Sequence, residues 1–454
     1  MVRKGVMGLT AQLKDRLIQQ SLERRLRQAG STLVAGERRA SNHAPATSGN
    51  RDIPEAFYRF DLHPGYQQLR IVNDGAARLG VRSPFFKQHE GMVGATTRID
   101  GKSYINYGSY NYLGMSGDPA VTTAAKAAID RYGTSVSASR IVSGERPVHR
   151  EFERALAEVY GVDDAITFVS GHATNVTTIG YLFGPKDLIL HDALIHNCTL
   201  QGIQLSGARR LAFPHNDWAA LDAILKEQRR QFERVLVVIE GIYSMDGDFP
   251  DLPRFVEVKR KHRAFLMIDE AHSFGVMGKN GMGIREHFGL NGADVDIWLG
   301  TLSKALAGCG GYIAGETALV EHLKFMAPGF LYSVGMSPPV AAASLAALQC
   351  LRREPERVHA LQARGAFFLQ QAKAAGIDTG LSSGLAVIPA ITGSSLRAVR
   401  LSEALFQRGI NVQPILYPAV AEKSARLRFF ISYRHTDAQI NETIGALAEE
   451  LDRL

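Results

Sequence analysis

The stretch FLMIDEAHSFGVMG, residues 265–278, decides the fold. It opens on four apolar residues, turns polar at Asp269 and continues through small residues. A short apolar run closed by polar residues is the pattern of a buried strand feeding a loop. The same texture recurs on either side. AITFV (165–169) precedes a helical pattern from about Ala173, VLVVI (235–239) is β-branched, and Ile297–Leu299 precedes TLSK (301–304). Apolar strands alternating with helices predict an α/β protein with a parallel or mixed sheet covered on both faces. Ligands of such sheets sit beyond the carboxyl ends of the strands.

Beyond about residue 345 the pattern changes. Helical periodicity covers 340–352 and 357–375, Leu385–Ile391 reads as a strand, and Ser395–Arg408 reads as a helix stopped by Gly409. Strands at Ile410–Leu416 and Leu427–Ser432 follow, then a helix opened by the capping box Thr436–x–x–Gln439. This is a small α+β domain. The expected organisation is a basic tail and linker (1–50), an N-terminal arm (51–105), a large domain (106–345) and a small C-terminal domain (346–454). Within the tail, Leu and Ile recur every four residues over 10–29, the spacing of a solvated or subunit-packing helix, with a basic helix for a membrane surface or an acidic partner as the alternative.

Composition narrows the class. The chain has 454 residues, 45% apolar and 21% charged, which excludes a disordered or collagen-like protein. Three scattered cysteines (Cys198, Cys309, Cys350) make neither a disulfide framework nor a four-cysteine zinc site, and favour a reducing, cytoplasmic location. The longest apolar stretch, Val340–Leu348, is too short to span a bilayer. The net charge of +7 is concentrated: residues 1–40 hold nine Lys/Arg against three acids, and the remainder is nearly neutral. A nucleic-acid groove needs excess base in the body, so that partner is excluded there.

Asp269–Glu270–Ala271–His272 invites comparison with the acidic motif of a DEAH-type NTPase. That chemistry needs a phosphate loop upstream. The only GKS, Gly101–Lys102–Ser103, has Thr96 five positions before Gly101, and GATTRID (94–100) carries no strong strand pattern. A different use of Asp269 fits better. A carboxylate at a strand end can hold a cationic ring nitrogen protonated. Pyridoxal phosphate requires that partner, and a lysine to carry its aldehyde. Lys304 follows the next strand and precedes the small residues AGCGG. His191, Asp192, His196 and Cys198 match no standard zinc spacing, so no metal is expected. A flat imidazole stacked on a cofactor ring is the other use of such a histidine. Gly171–His172, between a strand and a helix, offers N–H groups to a phosphate, or simply makes a turn.

Taken together, nine strings resemble the α-oxoamine synthases, fold-type-I pyridoxal-phosphate enzymes. They are NYLG (111–114), SR..SG..P.H..FE (139–153), FVSGHATN (168–175), HDALIHNCT (191–199), EGIYSMDGD (240–248), IDEAHSFGVMG (268–278), GTLSKA (300–305), YSVGMSPP (332–339) and ARLRFFISYRHT (425–436). The resemblance implies decarboxylative condensation of a small α-amino acid (glycine, serine or alanine) with an acyl thioester, giving an α-amino ketone. An aminotransferase would share the fold. It further implies that Lys304 carries the cofactor, that Asp269 faces the ring nitrogen, His272 the ring hydroxyl and His196 the ring face. Gly171, His172 and Thr301 would hold the phosphate, with Ser244 beside the cofactor. Ser333 would reach the phosphate of a second subunit, making a homodimer. Asn111 and Arg428 would hold the substrate carboxylate, with Arg426 as rival. Two departures stand out, Gly133–Arg140 in place of a glycine-rich string and His172 in place of an aromatic residue. The basic tail is suited to dock an acidic acyl carrier protein.

Overall fold

The computed structural model describes residues 53–78 and 83–454. The tail, including the helix expected over 10–29, lies outside the described residues. The chain divides into two units after Ser83. The first unit carries two helical turns, Glu55–Phe57 and Phe60–Leu62, and the helix Pro64–Arg78. Arg59 links its turns by ion pairs to Glu55 (2.8 Å) and Asp61 (2.7 Å).

The second unit is built on a seven-stranded sheet: β3 (Asp164–Phe168), β4 (Leu188–Asp192), β5 (Arg209–Phe213), β6 (Val235–Glu240), β7 (Phe265–Asp269), β8 (Ile297–Thr301) and β9 (Gly311–Gly315). The order is β3-β9-β8-β7-β6-β4-β5. Only β9 runs antiparallel to its neighbours, β3 and β8. The sheet is therefore mixed, as its apolar strands predict. Successive side chains divide between its faces. Leu266, Ile268 and Trp298 join one buried cluster, whereas Met267, Ile297 and Leu299 join the other. Two helix layers cover the sheet, which explains why these strands read as unbroken apolar runs.

Two small sheets complete the unit. One joins β10 (Val387–Ile391), β13 (Arg426–Phe430) and β12 (Gln413–Ile415) in antiparallel pairs. The other is a hairpin of β1 (Thr96–Ile99) and β2 (Lys102–Asn106), extended by β11 (Ile410–Asn411) running parallel to β2. GATTRID thus contains a strand after all. Only Thr97 and Ile99 of β1 are buried, so it shows alternation rather than an apolar run. The GKS string lies at the hairpin turn, with Gly101 at φ +73°, and is no phosphate loop. The hairpin also pairs part of the expected arm with the C-terminal region. Ile410–Leu416 is two strands rather than one, because the chain changes partner at Val412. The helix Pro338–Arg353 runs unbroken through residue 345.

Candidate active site

The carboxyl ends of the central strands each deliver one polar group. β7 ends on Asp269, which is 5% exposed. Its carboxylate accepts from Asn175 Nδ2 at 3.0 Å and from the Ala271 N–H at 2.9 Å. Both donors are neutral, and among the described residues Asp269 has no ion-pair partner. Beside it in register, β6 ends on the buried Glu240. Burial, reinforced by the charge of Asp269, raises Glu240 well above the usual carboxylate range.

Glu240 also accepts the His196 N–H at 2.7 Å. His196 caps the helix Asn197–Ser206: its Nδ1 accepts the Cys198 N–H at 3.2 Å, with Cys198 Sγ 2.9 Å from the same nitrogen. An imidazole nitrogen caps a helix only when it carries no proton. Burial lowers the ring's pKa, so it is neutral and its proton sits on Nε2. His272 is likewise held neutral, driven well below its ordinary value by burial. Its Nδ1 is engaged by the Tyr112 hydroxyl at 2.8 Å.

Lys304 lies just beyond β8, its Nζ 5.6 Å from the centre of the Tyr110 ring. Burial pulls the amine down to about 8 against the opposing pull of Asp269 and Glu240. Behind Thr301, which ends β8, the backbone of Gly171 approaches so closely that an added Cβ would lie 2.7 Å from Thr301 Oγ1. Gly171 and His172 open the helix Gly171–Leu182, where the first N–H groups have no intrahelical acceptor.

The two arginines of β13 differ sharply. Arg426 is neutralised by Asp246 at 2.6 Å and bonds Met245 O at 2.9 Å. Arg428 bonds Ser244 O at 3.1 Å and lies over the Phe430 ring, but its buried Nε has no partner. No carboxylate pairs with Arg428 among the described residues. Beyond burial, Lys304 and Arg428 both depress His272, and Asp269, Lys304, His172 and Arg428 all act on His196. One electrostatic neighbourhood therefore unites these residues.

Two expected residues stand apart. The Asn111 amide is spent on backbone groups, donating to Val93 O and Ser116 O and accepting the Ser116 N–H. Ser333 follows the short helix Pro328–Leu331, flanked by Tyr332 (84% exposed) and Val334 (49%). A cavity of about 360 Å³, lined by Val162, Phe183, Phe265, Ile297 and Leu319, opens at the amino ends of the strands, away from this cluster. Sequence reasoning missed Asn175, Glu240 and Tyr112 as site residues, although each lies inside one of the quoted strings. It missed Tyr110 as well, next to NYLG.

The residues present fit pyridoxal phosphate. Asp269 is a buried carboxylate with no direct ion-pair partner among the described residues, Arg428 a buried cation with none, and such ions are costly when unpaired. A cationic ring nitrogen and a substrate carboxylate supply the missing charges. Gly171 and Thr301 form a close backbone cradle at a helix N-terminus, where a phosphate is favoured.

Fold and site together define a fold-type-I pyridoxal-phosphate transferase. Residues 102–447 match the family model described as aminotransferase class I and II. The 8-amino-7-oxononanoate synthase of Fervidobacterium nodosum is 40% identical over 355 residues, spanning 78% of this chain and 89% of that protein. The Pseudomonas putida protein of the same name is 39% identical over 381 residues, 83% and 97% of the two chains. A Sphingomonas wittichii serine palmitoyltransferase structure superposes with a TM-score of 0.81 at 30% identity, covering 85% of this chain and 97% of that one. The chain belongs to the α-oxoamine synthases of the class I and II aminotransferase family, and is a pyridoxal-phosphate-dependent acyltransferase.

Proposed function

We propose that the enzyme condenses a small α-amino acid (glycine, serine or alanine) with an acyl thioester, releasing CO2 and the free thiol and giving an α-amino ketone. The observation that carries this reading is that buried Asp269 and buried Arg428 each lack a direct ion-pair partner among the described residues. Pyridoxal phosphate, when bound, supplies an electrophilic aldehyde and a cationic ring that takes up the electron pair left at the amino acid Cα. Asp269 keeps that ring protonated. Asn175 and the Ala271 N–H keep Asp269 in place. Lys304 Nζ carries the cofactor at rest. With its amine lowered to about 8, it is neutral often enough near neutral pH to take the Cα proton. Arg428 receives the substrate carboxylate in its guanidinium fork, because Arg426 is already occupied by Asp246. His196 presents Nε2–H toward the reacting carbonyl oxygen, and His272 Nε2 serves the ring hydroxyl. Gly171, His172 and Thr301 hold the phosphate, and Ser244 lies beside the cofactor. Asn111 acts by shaping the loop that carries Tyr110 and Tyr112.

Release of thiol and CO2 distinguishes this reading from the aminotransferase alternative. Supplying Gly, Ala and Ser in turn, with acyl-CoA or acyl carrier protein, yields free thiol and CO2 in equal amounts. Thiol-independent amino transfer to a keto acid would overturn the reading.

Ser333, between two exposed apolar residues, supports a homodimer in which it reaches the second subunit's phosphate site. The basic tail supports an acidic carrier protein as acyl donor. Deleting residues 1–40 raises KM for carrier-bound chains and not for CoA thioesters; equal effects on both would refute the tail's role. No helix among the described residues is long and apolar enough to cross a membrane. The three free cysteines suit a cytoplasmic setting.

A further inference from the structure

A second charged cluster lies at the carboxyl edge of the sheet, outside the residues assigned above. His215 follows β5. Its Nδ1 is 2.8 Å from Asp192 Oδ1 and its Nε2 is 2.8 Å from Asp248 Oδ2. An ionised carboxylate only accepts hydrogen bonds, so both ring nitrogens donate and the ring is an imidazolium. Asn216 doubles the bridge: its N–H donates to Asp192 Oδ2 at 2.7 Å and its Nδ2 to Asp248 Oδ2 at 2.8 Å. The Tyr243 ring packs edge-on against His215 at 4.5 Å.

Each aspartate anchors one loop. Asp192 ends β4, and its Oδ1 also accepts the Leu194 N–H at 2.8 Å, setting the turn that leads to His196. Asp248 closes the loop after β6, its carbonyl accepting the Tyr243 N–H at 2.9 Å. That loop carries Ser244 O, which holds Arg428, and Asp246, which holds Arg426. The loop of the ring-face imidazole and the loop of the carboxylate-binding arginine are thus tied by one cation.

We infer that His215 is a positioning residue that fixes His196 and Arg428 relative to each other through salt bridges to Asp192 and Asp248. The inference rests on the roles proposed for His196 and Arg428. Neither loop touches His215 through the reacting groups, so its loss acts through geometry. Misplacement of this kind costs up to about a hundredfold in rate.

The test uses the full-length protein carrying His215→Gln, with Asp248→Asn as a second variant that keeps the imidazole. In both, KM for the amino acid rises about tenfold, while KM for the acyl thioester stays within about twofold. Hydrogen exchange of peptides 193–199 and 243–248 rises in the cofactor-free and loaded protein alike. A merely structural role would lower the melting temperature and leave the ratio of the two KM values unchanged. That outcome, or unchanged exchange in both loops, overturns the inference. Arg428→Ala serves as the control: if it leaves the amino-acid KM unchanged, the assignment of Arg428 has failed. If it raises KM while both cluster variants do not, only the role of His215 has.

Discussion

Replacing Lys304 by Ala removes both the amine that carries the cofactor and the base that takes the Cα proton. Turnover falls by about 10³-fold or more, measured as thiol release, while the melting curve changes little. The lowered amine also makes a pH prediction. The neutral form attacks an aldehyde, so cofactor-free protein takes up pyridoxal phosphate faster as pH rises and levels off above about 8. Uptake is read from the absorbance that develops near the visible edge. A plateau only above pH 10, near the ordinary lysine value, would show that burial does not perturb this amine. Arg428→Lys keeps the charge and loses the fork. It lowers kcat/KM for the amino acid about 10- to 100-fold, whereas Arg426→Lys, tied to Asp246, leaves KM for the amino acid close to wild type.

At the level of elements, helix caps offer an independent check. Thr436 and Gln439 form the reciprocal capping box that opens the helix Asp437–Arg453. Thr436→Ala costs about 1 kcal/mol, read as a shift in urea midpoint without loss of activity. That cap was legible because its chemistry is local. So were β6, β7 and β8, buried on both faces and hence uniformly apolar. β4 (LILHD) escaped notice although it too is buried throughout, and the other missed strands have their own reasons. β5 is an edge strand, RRLAF, with only Phe213 buried. β9 is GYIAG, bounded by glycines that read as turns. β11 and β12 were read together as the one strand Ile410–Leu416, because they differ in partner, not in composition, and a change of partner leaves no periodicity. Site residues on strand ends were legible as types: an aspartate here, a lysine there. Which arginine of β13 was left free was not legible, because the difference is made by Asp246, 180 residues away.

For the whole molecule, the imidazolium of His215 makes stability depend on alkaline pH. Burial opposes the charge, but hydrogen bonds to Asp192 and Asp248 outweigh it and push the ring up to about 10. An unfolded histidine releases its proton near 6.5. The folded state therefore binds the proton where the unfolded chain does not. The bridge contributes fully below about pH 6.5 and is lost as pH rises through about 10. Asp192, Asp248 and the Tyr243 ring are the groups that face it. Melting temperatures of the wild type and His215→Gln converge over that window; a constant gap would contradict the bridge.

The small hairpin of β1 and β2 has a consequence for biosynthesis. Its second strand, β2, takes β1 on one side and must wait for β11 on the other, and the buried amide of Asn411 meets that of Asn106 across 305 residues of sequence. At about 5–20 residues per second on the ribosome, roughly 15–60 s separate the emergence of the two. Throughout that interval the nascent polypeptide displays an open β-edge, the surface on which chains stick to one another. A chaperone that shields extended segments protects the protein most in this window, and messages truncated before codon 410 yield chains that never close it.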